Sequence, residues 1–257
     1  MATPWPRANI SNQPPHPGGF FFEYSAIRCY TNAVGGISAA IEPARRDFTC
    51  NLMTHKATTP GIPLCVPPWD ESAALRSGAR YDKYFGFYLP NTESTDNVYE
   101  WLPLRWKRSP ALVPEMLPVT AWAQNVRTAT TKEQWDRYRR YSYKAAGYRC
   151  EICGAGGKTQ LECHERWQFL TRDGVRIQKL VGLISLCPLC HKAHHLGFAN
   201  TAGVLPQVLY HICLVNEWSA EQLDAALIDL ETSWKRDSKH KWQLDLEWLQ
   251  TSGYVHA

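Results

Sequence analysis

The sequence predicts an α+β protein organised around a zinc-stapled ββα unit, two strands followed by a helix. Three observations carry this. Four of the nine cysteines form two C-x-x-C pairs, Cys150 with Cys153 and Cys187 with Cys190, separated by 33 residues. Two strand-like runs lie between the pairs and meet at Asp173-Gly174, a strong hairpin-turn dipeptide. Helix-capping signals bracket the unit on both sides. Around it the chain divides into a flexible arm (1–19), an irregular, β-leaning N-terminal region (20–120), the finger with its preceding basic helix (121–200) and a C-terminal helical cap ending in a strand (201–257).

The arm holds five prolines and two adjacent glycines. It has no apolar stretch of signal-peptide type. No apolar run is long enough to span a bilayer. With the metal-type spacing of the cysteine pairs, this predicts a reducing, cytoplasmic setting and no membrane partner. Cys29, Cys50, Cys65, Cys163 and Cys213 then read as small buried thiols. Residues 20–118 contain short apolar runs such as 20–22 and 84–89, broken by Pro and Gly. Short strands and loops fit this better than long helices. The segment is a candidate surface for a protein partner.

Thr131 and Gln134 form a capping-box pattern opening a helix to about Ala146, with Gly147 as its stop. Trp135, Tyr138, Tyr141 and Ala145 share one face, read as core. Arg137, Arg140 and Lys144 form a basic face suited to phosphate. Residues 101–149 carry ten Lys or Arg against three Asp or Glu, whereas residues 217–247 carry eight acids against four bases. A basic segment leading into the cysteine cluster is where a polyanion docks. Arg166, Arg172 and Arg176 on the hairpin are further candidate backbone contacts. After the finger, residues 205–216 read as a helix, and Ser219 with Gln222 opens another to about Lys235. Residues 242–248 alternate apolar and polar as a strand does, with a short helix as the alternative.

Two C-x-x-C turns can close four thiolates around one zinc, leaving no open position, so this zinc would be structural. Residues 159–170 and 175–185 read as the two strands. Cys190 opens a short helix carrying His191, His194 and His195. His191 and His195 are four apart and would project from one helical face. His164 on the first strand supplies a third imidazole. Three neutral imidazoles leave a position open to water or substrate. His194 reads as a helix-surface residue, and His211 and His240 as structural or exposed.

The combined run, C-x-x-C, a strand with Leu161-Glu162-x-His164, then Leu186-Cys187-x-x-Cys190-His191-x-x-x-His195, resembles the zinc-containing HNH or His-Me finger endonucleases. The resemblance covers residues 148–198. It implies a treble-clef type ββα-metal finger with structural Zn²⁺ on Cys150, Cys153, Cys187 and Cys190. It also implies a catalytic divalent ion (Mg²⁺, Mn²⁺, Ni²⁺ or Zn²⁺) on His164, His191 and His195. The activity implied is phosphodiester hydrolysis, on DNA in preference to RNA. Glu165 falls where the family has its general-base histidine, and Gly182 where it has an asparagine. Glu165 is therefore base or auxiliary ligand. A second register makes Cys163 the ligand and His164 the base. Two other readings remain open: an inactive zinc finger that binds nucleic acid, and a zinc-stabilised protein-interaction scaffold.

Overall fold

The computed structural model describes residues 36, 39–42, 44, 60–156 and 159–256. The expected arm 1–19, the aromatic run 20–22, and Cys29 and Cys50 lie outside these residues. The chain mixes helix and strand, as α+β requires.

Short strands do form near the start. Strands β1 (Gly61–Pro63), β2 (Arg80–Asp82) and β3 (Gly86–Pro90) make an antiparallel sheet in the order β1-β3-β2. Ile62 pairs with Leu89, and Tyr81 with Phe87. Asp82 accepts the N–H groups of Tyr84 and Phe85 at 2.8 Å, which turns the chain from β2 into β3. Helix α1 (Glu71–Arg76) and several 3-10 turns cover this sheet. Leu64, Val66, Leu89, Val98, Trp101 and Leu102 form its core.

Helix α2 (Val126–Ala129) and helix α3 (Lys132–Ala145) follow. The predicted capping box is present: Thr131 accepts from Gln134 N, and the Gln134 side chain accepts from Thr131 N. Gly147 ends the helix in left-handed backbone, φ 57°. A Cβ there would lie 2.3 Å from the Val66 carbonyl oxygen, so both conformation and space demand glycine.

Strands β4 (Glu162–Arg172) and β5 (Val175–Leu186) form the long hairpin, with Asp173 and Gly174 at positive φ. Period-two alternation gives β4 two faces. Cys163 and Trp167 pack with Trp135 and Tyr138 of α3, and Leu180 and Leu183 of β5. Glu162 and His164 point the other way, toward helix α4 (Pro188–Ala193). A register shift between Arg166 and Trp167 marks a bulge.

Helices α5 (Leu196–Thr201), α6 (Leu205–Asn216) and α7 (Ala220–Asp237) complete the second layer. The predicted C-terminal strand is only partly there. Strand β6 is limited to Gln243–Asp245, parallel to β5, and helix α8 (Glu247–Thr251) follows. Leu249 on α8 reaches the α3–hairpin core, a contact that the extended backbone over 242–248 would forgo.

One core cluster joins Ala111 and Leu112 to the finger (Cys150, Ile152, Leu186) and to α6 and α7 (Leu209, Ile212, Leu223, Leu227). Asn216, 5% exposed, fastens this junction. Its Oδ1 accepts the N–H groups of Ala111 and Leu112 at 2.9 Å, and its Nδ2 donates to the Leu112 carbonyl at 2.7 Å. The strap then runs to Glu115, whose N–H donates to the Ala193 carbonyl at the end of α4. Asn216→Ala strands three buried backbone groups and is expected to cost about 3 kcal/mol of stability, read as a lowered denaturation midpoint at unchanged slope.

Candidate functional site

The four paired cysteines converge. Their sulfur atoms lie within 4.8 Å of one another, and Cys153 Sγ to Cys187 Sγ is 3.7 Å. Tetrahedral zinc with Zn–S bonds of about 2.3 Å holds its sulfurs ~3.8 Å apart, so the Cys153–Cys187 pair already stands at one edge of that polyhedron. Local sequence sets the geometry. After Cys150 the knuckle closes through Gly154 N–H to the Cys150 carbonyl at 2.8 Å. Gly154 adopts φ 76°, and a Cβ there would meet Pro63 Cγ at 2.6 Å. On the other side Cys187 is the N-cap of α4, its sulfur accepting from Cys190 N. Hydrogen bonds from Cys150, Cys153 and Cys190 hold the Cys187 thiol far below its usual value, as a thiolate. Cys190 Sγ also lies 3.2 Å from His211 Nε2. His211, expected to be structural or exposed, is an outer partner of this cluster, and its place on α6 gave no spacing signal. Together the four cysteines can hold one structural metal ion.

The second cluster is built on histidine. His164 from β4, and His191 and His195 from the α4 region, bring their ligand atoms within 4.8 Å of one another. Ring centroids are 5.3 Å apart for His164–His191, 5.0 Å for His164–His195 and 4.7 Å for His191–His195. The helix that was expected to carry both His191 and His195 ends at Ala193. His195 sits in the linker at φ −139°, as N-cap of α5, and its ring returns to the cluster from there. The i, i+4 spacing therefore brings the pair together without a continuous helix.

Burial lowers His164 to about 4, with the neighbouring His194 and His191 adding to the shift and the nearby Glu115 carboxylate opposing it. Burial, then the neighbouring histidines, push His195 to about 2. Both are neutral at physiological pH, the state in which imidazole binds metal. The Glu162 carboxylate accepts from His191 Nδ1, which aims Nε2 into the cluster. A carboxylate behind a ligating imidazole is the usual second support of a metal site. Glu162 lies two residues before His164 on the same strand face, and that parity was the signal for it. His164 Nε2 is buried without a hydrogen-bond partner. An orphaned buried nitrogen at a convergence of imidazoles fits a metal ligand.

Two further groups reach the histidines. His194, expected on the helix surface, is 8% exposed and stacks on His164 at 4.7 Å. It lies three residues after His191, so helical spacing already places it near the same face, and as C-cap of α4 its ring reaches His164. Glu115 lies 47 residues before the start of β4 and approaches from the segment that follows Leu112. Nothing in the local pattern marks it.

Glu165 lies on the opposite side of β4 from His164. Its Oε1 accepts the N–H of Val126, at the start of α2, at 2.8 Å. Burial pushes its carboxyl up, and the Val126 N–H and Arg127 oppose the shift. Glu165 nevertheless borders, with Glu115, His194, His195, Trp122 and Phe198, a cavity of about 290 Å³. Cys163 does not join the histidines; it packs toward α3, and burial raises its thiol to about 12. Gly182 pairs with Arg166, and a Cβ there would make only an ordinary 3.8 Å contact.

The basic residues separate into groups. Arg137, Arg140 and Lys144 are exposed and line one groove with Tyr141, Tyr148, Glu133 and Asp136. A different groove, of about 560 Å³, contains His191, Glu162 and Cys163 together with Arg127, Lys132 and Arg139. Lys132, Arg139 and Tyr143 recur at helical spacing with Trp135 between, a stripe the sequence reading passed over. Arg139 is tied to Asp136 at 2.7 Å. Arg166 is exposed and lies with Cys65, Lys107 and Glu151 on another side of the finger. Arg176 lies over the Trp242 ring. Arg172 sits at the hairpin turn, on the order of 25 Å along β4 from His164 at 3.3 Å per residue.

No protein-family model, curated protein or solved structure matches the chain. No helix of the described residues is long and apolar enough to cross a membrane.

Metal analysis of the purified protein is expected to find about one tightly held zinc per chain. Cys187→Ser removes a ligand from a site worth on the order of 10 kcal/mol of apparent binding. The expected outcome is loss of the zinc and of the cooperative thermal transition; a variant that keeps both would overturn the four-thiolate site.

Proposed function

We propose that this protein is a metal-dependent endonuclease of the HNH, or His-Me finger, class that hydrolyses phosphodiester bonds in DNA. One observation carries the reading. His164 from the hairpin meets His191 and His195 around a point where a buried imidazole nitrogen has no partner, beside a closed thiolate cluster. A saturated four-thiolate site does no chemistry, whereas three imidazoles leave positions for water and phosphate.

His164, His191 and His195 would hold the divalent ion, with Glu162 orienting His191. Three nitrogen donors favour Mn²⁺, Ni²⁺ or Zn²⁺ over Mg²⁺, which prefers oxygen. When bound, the ion supplies charge neutralisation at the phosphate and its leaving oxygen. Glu165 is the proton acceptor for the attacking water. An ordinary glutamate, with a pKa of about 4.3, is a weak base; burial moves Glu165 in the useful direction. Arg127, Lys132 and Arg139 line the groove that leads to His191, and would hold the strand by its phosphates.

A second reading has its own support. Glu165 already accepts a backbone N–H from α2, as a structural carboxylate would. In that case the finger grips nucleic acid without cutting it.

Plasmid nicking with Mg²⁺, Mn²⁺ or Ni²⁺ separates the two. The wild type is expected to nick, and His164→Ala, His191→Ala and Glu165→Gln to lose about a hundredfold or more at unchanged zinc content. Because the Glu165 carboxyl is raised, activity should disappear as pH falls through an apparent pKa above about 4.3. Salt-dependent DNA binding without nicking under any metal would leave the binding module, and no nucleic-acid binding would leave an interaction scaffold.

The two grooves can be told apart as well. Lys132→Ala or Arg127→Ala is expected to weaken DNA binding evenly across sequences and to reduce the salt slope by about one. Arg137→Ala and Arg140→Ala should have the smaller effect; a reversed order would move the DNA path to the outer face of α3.

A further inference from the structure

Glu115, His164 and His194 form a second cluster whose ligand atoms lie within 4.8 Å of one another. Glu115 Oε1 is 3.5 Å from His194 Nδ1, and Glu115 Oε2 is 3.8 Å from His164 Nε2. Neither contact is a hydrogen bond, since such bonds close to about 2.7–3.2 Å. Both nitrogens are buried and have no hydrogen-bond partner. Ligands about 2.1 Å from a tetrahedral ion stand ~3.4 Å apart, which is the spacing this trio approaches. His164 and His194 are stacked, 4.7 Å between centroids and 21° between planes, so one ion can meet edge nitrogens of both rings. Glu115 keeps its side chain 46% exposed, which leaves a path from solvent.

We propose that Glu115, His164 and His194 form a second seat for a first-row divalent ion, alternative to the seat made by His164, His191 and His195. This rests on reading the three-histidine cluster as a metal site. A neutral imidazole has one nitrogen lone pair free for metal, so His164 serves one ion at a time. The two sets are therefore alternative positions for a single ion. Two imidazoles and one carboxylate suit Zn²⁺, Co²⁺, Mn²⁺ or Fe²⁺. The carboxylate gives this seat a negative charge that the three-histidine seat lacks. An ion resting there holds His164 away from the phosphate-facing position, so the seat stores metal in a non-cutting arrangement. Glu115 reaches it on the strap that Asn216 fastens, which links residues outside the finger to its metal state.

The test is a Co²⁺ titration of the full-length, zinc-loaded protein, followed by calorimetry and by visible absorption. Thiolate-to-cobalt bands report any exchange at the cysteines. Wild type is expected to take one Co²⁺ beyond the zinc. His191→Ala/His195→Ala is expected still to take one, within about tenfold in affinity, and Glu115→Gln alone likewise. The triple variant with both changes should lose binding by about a hundredfold or more. Two ions beyond the zinc in wild type would overturn the shared-ligand argument. No Co²⁺ in His191→Ala/His195→Ala, at wild-type zinc content and melting temperature, would overturn the second seat. If the double variant fails to keep its zinc, His191→Ala alone carries the same two outcomes. Cleavage enters none of these measurements, so this seat can fail while the nuclease reading stands, and the reverse.

Discussion

The convergence of Cys150 and Cys153 with Cys187 and Cys190 is the constraint on which the rest of the structure depends. It ties the loop after α3 to the point where β5 ends and α4 begins. His191 is the residue after Cys190, and His164 pairs with Ile184 three residues before Cys187. Fixing the thiolates therefore fixes the helix against the hairpin, and with it the distance between the histidines. The thiolates are also part of the apolar core, packed with Leu186, Leu196, Leu209 and Ile212. A metal held by these cysteines would stabilise the same junction as hydrophobic burial.

Burial acts differently on each group at the site. Around His164 and His195 it removes water and favours neutral imidazole, which is the metal-binding form. On Glu165 the same desolvation raises the carboxyl and strengthens it as a base. On Cys163 it holds the thiol protonated. Glu115 is the exception, half in solvent and brought in from another part of the chain. The segment that leads to it is fastened by three hydrogen bonds from Asn216, over 100 residues away, and the Glu115 N–H itself donates to the Ala193 carbonyl. The histidine cluster is consequently a property of the whole fold and not of the finger alone.

Several elements were legible because their causes are local. The capping boxes at Thr131 and Ser219, the Asp173-Gly174 turn and the two C-x-x-C knuckles depend on residues within a few positions of one another, and each is present. Helix α6 matches its expected span, 205–216. Residues 242–248 split into strand and helix because Leu249 gains a buried place against Leu180 and Leu183. That gain is invisible to a period-two count. His194 is inward because it stands three residues after His191 and stacks on His164, which comes from the distant strand β4.

The sequence by itself determined which atoms could bind metal and in what order along the chain, because ligand chemistry and knuckle spacing are local properties. It also determined the hairpin that carries His164 and the helix that carries Cys190 and His191. Only the tertiary structure decided which side chains share a space. It set Glu162 behind His191, placed Glu115 and His194 beside His164, and turned Glu165 toward α2. It also put Arg127, Lys132 and Arg139, in place of Arg137, Arg140 and Lys144, in the groove with His191. The reason is geometric. A strand's two faces and a helix's several faces acquire different surroundings only when other elements pack on them, and those elements come from distant parts of the chain.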